Sequence, residues 1–572
     1  MHRHLPKVTF ADLFTPKLVT VLRESYGRGH LRSDLVAGLT VAIVALPLSI
    51  AIAIASGVSP ERGLYAAIFG GFFVSALGGS RFQIGGPAGA FIVLVAATAT
   101  RHGIDGLLTA TFMAGLMLMA GGLLRLGSYI KFIPYPVTVG FTGGIAVTIM
   151  ASQIKDFLGL TLAEPEPGAL AEKLPVLAAA LPTLSPAAFL IALIALLTIV
   201  GLKKLRPHWP GMLIAVIVAT LIALALPWPV ETINSRFGGL PTGIPMPMLP
   251  DLSPARVMTM LPDATAFALL GAIESLLSAV VADGMTGRRH RSNCELVAQG
   301  AANIASSVMG GLVVTGTIAR TATNVRAGAH GPIAGMLHSL FVLGFMLIAA
   351  PLAGYIPLAA LSGVLVFVAW NMAERHAIFT LIRGQKGEAL VLLVTFGLTI
   401  FRDLTEAIVV GFALGALLFI HRMSESVAIE TEMALVPEDL PDNPDGTRTP
   451  YDEHEAADPD IVIYHITGAF FFGAAATVGA VLDRISDGYK VLVLDFKSVP
   501  LLDSTGANTI AGLAAKLERT GTRLIIAGAA PALRHALLVH GVRPPAVKYT
   551  PSVDTGVAIA RRWLAGKPDA RA

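Results

Sequence analysis

Two glycine-rich stretches decide the fold: Gln83-Ile-Gly-Gly-Pro-Ala-Gly-Ala90 and Val314-Thr-Gly-Thr-Ile-Ala-Arg-Thr321. Each lies in an apolar region, yet each is too short or too interrupted to continue as an ordinary spanning helix. Glycine permits an extended backbone that other groups can approach closely, and Pro87 suits the first turn of a helix that begins there. Each stretch therefore predicts a short strand followed by a half-helix that starts at mid-membrane.

The chain around these stretches is too apolar for a wholly soluble protein. Of its 572 residues, 54% are hydrophobic and 14% are charged, against about 25% charged in an ordinary soluble domain. A hydrocarbon core about 30 Å thick needs about 20 apolar residues per helical span. Between Val36 and Arg422, breaks at charges, glycines and prolines predict fourteen spans, at 36–56, 62–79, 87–100, 105–125, 134–154, 186–202, 211–227, 264–284, 295–311, 318–329, 331–350, 356–372, 388–401 and 404–421. The third, ninth and tenth of these are glycine-rich and too short or interrupted to span as ordinary helices.

The distribution of charge predicts the topology. With a cytoplasmic N-terminus, the inside loops are basic, whereas an outside loop carries Glu164, Glu166 and Glu172, in agreement with the positive-inside rule. Seven spans followed by seven place the second half in the membrane with the opposite orientation, as in an inverted repeat. Both termini are then cytoplasmic, and no cleaved signal peptide is expected.

The two glycine-rich stretches are the third segment of each half and are therefore expected to meet. Half-helices that start at mid-membrane from opposite sides direct unpaired N–H groups and partial positive charge at a common point, which attracts anions. Ordinary kinked or small-residue packing helices are the alternative. The candidate substrate-binding residues here are Gly86, Pro87, Ala88, Gly89, Gly316, Thr317, Ala319 and Arg320.

Glu274 is the clearest candidate for proton coupling. It lies in the middle of an apolar segment, Phe267 to Val281, and acidic groups in such segments are costly and usually functional. Ser278 lies one helical turn further on the same face and joins the candidate binding residues. The alternative is a structural carboxyl group satisfied by serine hydroxyls or by a buried ion pair.

Arg320 is the second conspicuous charge, at the predicted start of the tenth segment. Its guanidinium would add to the field of the helix terminus and can bind a carboxylate or an oxyanion through two hydrogen bonds. Two alternatives stay open: an arginine of a cytosolic loop, or a simple partner for Glu274.

The composition changes after the last span. We expect a cytosolic segment at 1–35, the membrane domain at 36–422, an acidic linker at 423–459 and a small α/β domain at 460–565. In the last, Asp503 or Ser504 can cap a helix, and a regulatory role for Ser504 is the other interpretation. The pattern predicts strands at 461–466, 491–496 and 523–527 and helices at 474–485, 506–520 and 532–540.

Several kinds of chemistry are not indicated. The single cysteine, Cys294, can form neither an internal disulfide nor a cysteine cluster. The histidines are not spaced as metal ligands, so we predict no metal site and no cofactor. No nucleophile with a base and no phosphate-cradling loop indicates an enzyme. The basic run Arg288-Arg-His-Arg291 is typical of a topology signal, not of nucleic-acid binding.

The chain resembles the SulP anion transporter family over nearly its whole length, and its tail resembles the STAS domain appended to these transporters. The matching residues are Asp34-Leu-Val-Ala-Gly-Leu-Thr40, Leu46-Pro47, Gly63-Leu-Tyr65, Gly85-Gly-Pro87, Gly271-Ala-Ile-Glu274, Ile318-Ala-Arg-Thr321 and Asp503-Ser-Thr-Gly506. The resemblance implies a polytopic α-helical protein with a seven-plus-seven inverted repeat, a core that moves against a gate, a homodimer in a bacterial inner membrane, and a cytosolic STAS domain open to a partner.

The resemblance also implies roles for single residues. Glu274 falls on the family's coupling carboxylate and Ser278 on a neighbouring site position. Sodium-coupled bicarbonate relatives lack an arginine at the position of Arg320, so arginine here favours protons over sodium. A serine matching Ser504 is phosphorylated in free-standing STAS proteins, although transporter STAS domains often lack that switch.

We expect a proton-coupled transporter, and C4-dicarboxylates such as succinate and fumarate are the predicted substrates. This follows from stretches that look like the enterobacterial C4-dicarboxylic acid transporters: Ser80-Arg-Phe82, Gln153-Ile-Lys-Asp-Phe-Leu-Gly159, Asp283-Gly-Met-Thr-Gly287 and Val368-Ala-Trp-Asn-Met372. Leu48 departs from the glutamine of many sulfate-carrying members. Sulfate or bicarbonate transport, an uncoupled anion channel and a receptor that signals through the STAS domain are the alternatives.

Overall fold

The described part of the protein is mostly helical. The computed structural model describes residues 10–130, 134–163, 166–167, 170–206, 209–226, 228–402, 404–425, 428–431, 460–471 and 489–566. Up to residue 425 its helices are α1 (Phe10–Phe14), α2 (Lys17–Arg23), α3 (Arg28–Ala55), α4 (Pro60–Tyr65), α5 (Gly71–Leu77), α6 (Ile92–Leu123), α7 (Gly127–Ile130), α8 (Tyr135–Leu158), α9 (Leu170–Ala180), α10 (Pro186–Leu205), α11 (Gly211–Ala225), α12 (Ile233–Phe237), α13 (Pro254–Thr286), α14 (Ser292–Val308), α15 (Ile318–Arg326), α16 (Ile333–Ala353), α17 (Leu358–Met372), α18 (Arg375–Arg383), α19 (Lys386–Phe401) and α20 (Leu404–Glu425).

Many of these helices can cross a membrane. Eight helical stretches in the described chain are long and apolar enough to do so: Arg28–Ala55, Gly89–Leu123, Tyr135–Leu158, Pro186–Leu205, Pro254–Thr286, Ile333–Ala353, Leu358–Arg383 and Glu406–Met423. The shorter helix α11 is also apolar. The predicted class, a polytopic helical membrane protein, is therefore confirmed.

The predicted third and tenth segments have the expected form of a short strand before a helix, and the ninth is a short continuous helix. Strand β1 (Gly85–Gly86) and a 3-10 turn at Gly89–Phe91 precede α6, and strand β2 (Thr315–Gly316) precedes the nine-residue helix α15. The predicted ninth span, expected to be interrupted, is the continuous helix α14. Its Gly300 does not break the helix, because that glycine serves a close helix crossing.

Other helix boundaries agree with the predicted spans only in part. The stretch assigned to α6 holds two helices that meet at Gly103, where φ is 68° and ψ is -175°, so the predicted break between the third and fourth spans is present. The predicted second span is divided into α4, a π-helical turn at Ala66–Gly70, and α5. Helix α13, which carries Glu274, begins ten residues before the predicted span. The hydrophobic pattern marks the membrane, but helices continue beyond it.

The helices pack in two groups. In one, α6 lies along α13 and α14, and α3 lies along α16; in the other, α8, α10, α17 and α19 pack on one another. Glycine allows a close crossing of α6 and α14 in the first group. A methyl group at Gly300 would lie 2.5 Å from the carbonyl oxygen of Gly115, and one at Gly115 would lie 2.7 Å from the carbonyl oxygen of Gly300.

The C-terminal part is a five-stranded sheet flanked by helices. Its elements are β3 (Ala428–Thr431), β4 (Ile461–Thr467), β5 (Val491–Asp495), α21 (Ser504–Thr520), β6 (Arg523–Ala527), α22 (Pro531–Val539), β7 (Val547–Thr550) and α23 (Val553–Leu564). The sheet order is β3-β4-β5-β6-β7, with β3 antiparallel to β4 and the other pairs parallel. Alternating residues of β5 face opposite sides: Leu492 and Leu494 join one apolar cluster, and Val491 and Val493 another.

The sequence predicts this small α/β domain but not all of its strands and helices. The predicted strand at 523–527 matches β6, and the other two strands and the helices at 506–520 and 532–540 agree within two residues. The predicted helix at 474–485 lies outside the described residues. Strand β3 falls inside the predicted linker, and β7 and α23 were not predicted. Strands of four residues carry too weak an alternation to stand out in sequence.

We predict that Gly300→Ala destabilises the membrane domain. The added methyl group cannot fit 2.5 Å from a backbone oxygen, and overpacking of this kind costs about 1–3 kcal/mol. The apparent melting temperature, measured at one heating rate in detergent, should therefore fall. Gly344→Ala in α16 is the matched control, because nothing lies within 4 Å of its added methyl group. Equal melting temperatures for the two variants would contradict this account of the crossing.

Candidate anion site

The two glycine-rich stretches meet in an antiparallel pair. Gly85 of β1 is opposite Gly316 of β2, and Gly86 is opposite Thr315. The contact continues beyond the strands, since the backbone N–H of Thr317 donates to the carbonyl oxygen of Ile84 at 2.9 Å. The two halves of the membrane domain are therefore joined by backbone hydrogen bonds at the point where both half-helices begin.

Glycine leaves space at this crossing for side chains of the opposite stretch. A methyl group at Gly86 would lie 2.3 Å from Nη1 of Arg320. One at Gly316 would lie 1.7 Å from Nε2 of Gln83. These glycines therefore provide space as well as the flexible backbone that the sequence predicts. Each glycine makes room for a polar side chain that reaches across from the other half.

Arg320 is a buried cation without a counter-charge. Its side chain is 1% exposed, and Nη2 donates to Ser49 Oγ and to the carbonyl oxygen of Pro87, both at 3.2 Å. Nε and Nη1 have no hydrogen-bond partner, and the described residues provide no carboxylate at ion-pair distance. A buried, uncompensated charge is costly, and an anion is the partner that would offset the cost.

Glu274 is also without a partner among the described residues. It is 8% exposed, and no hydrogen bond or ion pair of the described chain reaches it. The neighbouring hydroxyls point elsewhere: Ser275 Oγ accepts from Gln83 Nε2 at 2.8 Å, and Ser278 Oγ donates to Thr321 Oγ1 at 3.0 Å. Two structural roles were open for this carboxyl group: hydrogen bonding to serine hydroxyls and an ion pair with Arg320. The geometry shows neither of them.

Helix α13 is fastened to the strand crossing on both sides of Glu274. Thr315 Oγ1 donates to the carbonyl oxygen of Gly271 at 3.0 Å, one turn before Glu274. The bond between Ser278 and Thr321 lies one turn after it. The turns of α13 on both sides of Glu274 are therefore bonded to the same strand-and-helix segment that carries Arg320.

The remaining candidate residues surround the same crossing. Thr317 is buried and its Oγ1 donates to the carbonyl oxygen of Ile84 at 3.2 Å. Ala88 is buried and Ala319 is exposed. Gly89 is half-buried, and a methyl group there would lie 3.5 Å from Ile149 Cδ1 and 3.9 Å from Met372 Sδ. The site thus faces α8 and α17 of the second helix group.

Four polar side chains around the site were not among the residues predicted from the sequence. Ser49, Gln83, Ser275 and Thr321 hold its backbone and charged side chains in place. Their hydroxyl and amide groups are common in membrane helices, so composition alone gives no signal. A fifth residue, Glu295, did carry a signal, since it is an acidic residue at the start of a predicted span.

The class of protein follows from this geometry: a polytopic membrane protein with two crossing half-helices and a buried cation at the crossing. The sulfate permease family model matches residues 31–395, and the STAS domain model matches residues 456–554. The chain belongs to the sulfate permease family and carries a C-terminal STAS domain. The family resemblance seen in the sequence is therefore confirmed.

Individual relatives are anion transporters by name. The chain is 38% identical to the putative sulfate transporter YvdB of Bacillus subtilis, with 88% of this chain and 93% of the relative covered. It is 30% identical to the bicarbonate transporter BicA of a Picosynechococcus species, with 89% of this chain and 90% of the relative covered. The resemblance to C4-dicarboxylic acid transporters stays a prediction.

Solved structures share the fold. The murine Slc26a9 anion transporter in its inward-facing state superposes with a TM-score of 0.83 at 19% identity, covering 98% of this chain and 96% of that one. The transmembrane domain of the cyanobacterial bicarbonate transporter BicA superposes with a TM-score of 0.60 at 30% identity, covering 68% and 98%.

We predict that Gly86→Ala weakens the interaction with the transported anion. The methyl group would displace Nη1 of Arg320, which lies 2.3 Å from its position. Losing one good hydrogen bond to a charged group raises the half-saturating concentration about tenfold or more. Uptake of labelled sulfate into proteoliposomes measures the change, with Gly344→Ala again as the control for an added methyl group. An unchanged half-saturating concentration would mean that Arg320 does not depend on the space at Gly86.

Proposed function

We propose that this protein is a secondary active transporter that couples the movement of a small anion to that of protons across a bacterial inner membrane. The observation that carries the proposal is the buried Arg320 guanidinium at the crossing of the half-helices, whose Nε and Nη1 have no partner among the described residues. Membership of a family of anion transporters supports it. A catalytic function is not proposed.

The anion side of the mechanism rests on fixed positive charge. Arg320 carries a full charge, and the first N–H groups of α15 and of the helical turn at Gly89–Phe91 add partial positive charge near it. The candidate contacts are Gly86, Pro87, Ala88, Gly89, Ser278, Gly316, Thr317 and Ala319. An oxyanion with several acceptor oxygens can use both kinds of donor at once.

The proton side rests on Glu274. An ionised carboxyl group in this position would repel an anion held by Arg320, whereas a protonated one would not. Binding of a proton and binding of the anion therefore favour each other, which is the linkage that a symporter requires. A sodium ion would instead meet the fixed charge of Arg320, so protons are the coupling ion that we propose.

Sulfate is the first substrate candidate. The relative with 38% identity is a putative sulfate transporter, and a tetrahedral dianion can satisfy the donors of Arg320 and of two helix termini. The C4-dicarboxylates predicted from sequence offer two carboxylates to the same donors and are the second candidate. Bicarbonate is the third, because BicA is named for it.

The assembly and regulation of the transporter are part of the proposal. We propose a homodimer with cytoplasmic N- and C-termini, and an STAS domain open to a cytosolic partner. In that domain Asp503 Oδ1 accepts from the backbone N–H of Gly506 at 2.8 Å and so caps α21. Ser504, exposed in the first turn, is not the capping residue, and a phosphate there would be favoured by the helix terminus.

Glu274→Gln should abolish proton-driven accumulation. Glutamine resembles the protonated carboxyl group but cannot release a proton, so downhill anion movement persists while uptake against a gradient is lost. The measurement is uptake of labelled sulfate, succinate and bicarbonate, each alone, into proteoliposomes with an imposed inward proton gradient. Asp251→Asn, an exposed residue that keeps an oxygen acceptor for Ser253, is the matched control. If the pH profile of uptake stayed unchanged in Glu274→Gln, the coupling assignment would be wrong.

Arg320→Ala should weaken anion binding. Loss of one hydrogen bond from a charged donor costs about 1.5–3 kcal/mol, so the half-saturating concentration should rise at least about tenfold to a hundredfold. Arg326→Ala, which removes an exposed arginine from the last turn of the same helix, is the control. Currents that persist without proton movement would favour an uncoupled channel instead.

A further inference from the structure

A second carboxyl group lies buried in the same helix group, and the proposed transport mechanism does not use it. Glu295 lies in the first turn of α14 and is 0% exposed. The described residues place no lysine, arginine or histidine at ion-pair distance from it. A buried acidic residue in a membrane domain without a cation needs another explanation.

Hydrogen-bond donors surround this carboxyl group instead. Oε2 accepts from the backbone N–H groups of Gly79 and Ser80, at 2.9 and 3.0 Å. Oε1 accepts from Gln299 Nε2 at 3.0 Å and from Ser275 Oγ at 3.4 Å. One side chain thus joins three parts of the chain: the loop before β1, helix α13 beside Glu274, and its own helix.

The contacts continue from Glu295 to the anion site. Ser275 Oγ accepts from Gln83 Nε2 at 2.8 Å. That amide group occupies the space where a side chain of Gly316 would otherwise lie. Glu295, Ser275 and Gln83 therefore form a hydrogen-bonded chain that ends against β2, and Glu295 also holds the loop that leads into β1.

We propose that Glu295 is a positioning residue for the anion site. Through Ser275 and Gln83 it fixes α13 relative to the paired strands, and through Gly79 and Ser80 it fixes where β1 begins. The distance between Glu274 and Arg320 then depends on a residue that touches neither. This inference rests on the proposed function, since it assumes that the anion binds at the strand crossing.

The role requires oxygen acceptors and not a negative charge. In Glu295→Gln the remaining oxygen can still accept from Gly79 and Ser80. The new amide group can donate to Gln299 once that side chain turns, because Gln299 Oε1 has no partner among the described residues, and it can donate to Ser275 Oγ, which then accepts instead of donating. Glutamine should therefore preserve the arrangement, whereas alanine removes both acceptors. A proton carrier would behave in the opposite way, because glutamine cannot exchange a proton.

The experiment compares Glu295→Ala, Glu295→Gln, Ser275→Ala and the double variant Glu295→Ala/Ser275→Ala in the full chain. Ser307→Ala is the matched control, since its hydroxyl bonds only within α14, to Ile304 at 2.9 Å. Hydrogen exchange of peptides from residues 79–86 and 315–321 is measured in lipid nanodiscs. Uptake of labelled sulfate into proteoliposomes gives the half-saturating concentration and the maximal rate.

We expect faster exchange in both peptides and a half-saturating concentration raised about tenfold for Glu295→Ala, as for the loss of one hydrogen bond to a charged group. Ser275→Ala should raise the exchange rates and the half-saturating concentration by less. The effect of the double variant should be smaller than the sum of the two single effects. Glu295→Gln and Ser307→Ala should have exchange rates and half-saturating concentrations near those of wild type. A lower maximal rate with unchanged half-saturation and exchange would overturn the proposal, as would additive effects or loss of transport in Glu295→Gln.

The exchange measurement separates this inference from the proposed function. If wild type carries no anion but Glu295→Ala still loosens both peptides, the positioning role stands and the transport assignment fails. If wild type transports sulfate and Glu295→Ala leaves exchange unchanged, the positioning role fails alone. Because Glu295→Ala removes four hydrogen bonds and can impair folding, Ser275→Ala serves as the milder variant that must show the same pattern.

Discussion

The pairing of two strands of two residues each is the contact on which the membrane domain depends. Gly85 and Gly86 bond to Gly316 and Thr315, so the third segment of one half is tied to the third segment of the other. Backbone groups at membrane depth must be paired within the protein, since lipid offers no hydrogen bonds. The pairing satisfies them and at the same time sets two helix starts against each other. Every functional side chain described above is placed with respect to this crossing.

The crossing gathers charges that a membrane domain would otherwise exclude. Arg320 and Glu274 are both buried and have no opposite charge at hand among the described residues, while Glu295 is satisfied by neutral donors. These are two different solutions to the cost of burial. A group that must bind and release a ligand has to remain without a permanent partner, whereas a group that holds a framework should have all its acceptors occupied. This difference is the reason why we propose transport roles for the first two groups and a positioning role for the third.

Much of the framework could be read from the sequence. Apolar segment length and the change of composition after Arg422 are sufficient for a polytopic helical protein with a small α/β tail, because both depend on local hydrophobicity. The prediction of a short strand before a helix in each glycine-rich stretch also succeeded, since glycine permits the extended backbone locally, although Pro87 lies two residues before the helical turn at Gly89–Phe91 and not in its first turn. The ninth segment, predicted to be too short or interrupted to span, is a continuous helix of 17 residues in which Gly300 is used for contact with Gly115 and not for a bend. Nothing in the sequence near Gly300 distinguishes those uses.

The sequence by itself determined which groups are rare enough to matter: one glutamate in the middle of a span and one arginine at the start of a half-helix. The tertiary structure decided what those groups do with their neighbours. Three findings depend on contacts between residues 190 to 240 positions apart or on adjacent helices. Ser275 bonds to Gln83 and not to Glu274, Gly86 makes room for Arg320, and Glu295 holds the loop before β1. Such contacts arise when the two halves pack, and local sequence patterns carry information only about the few residues within one helix or strand.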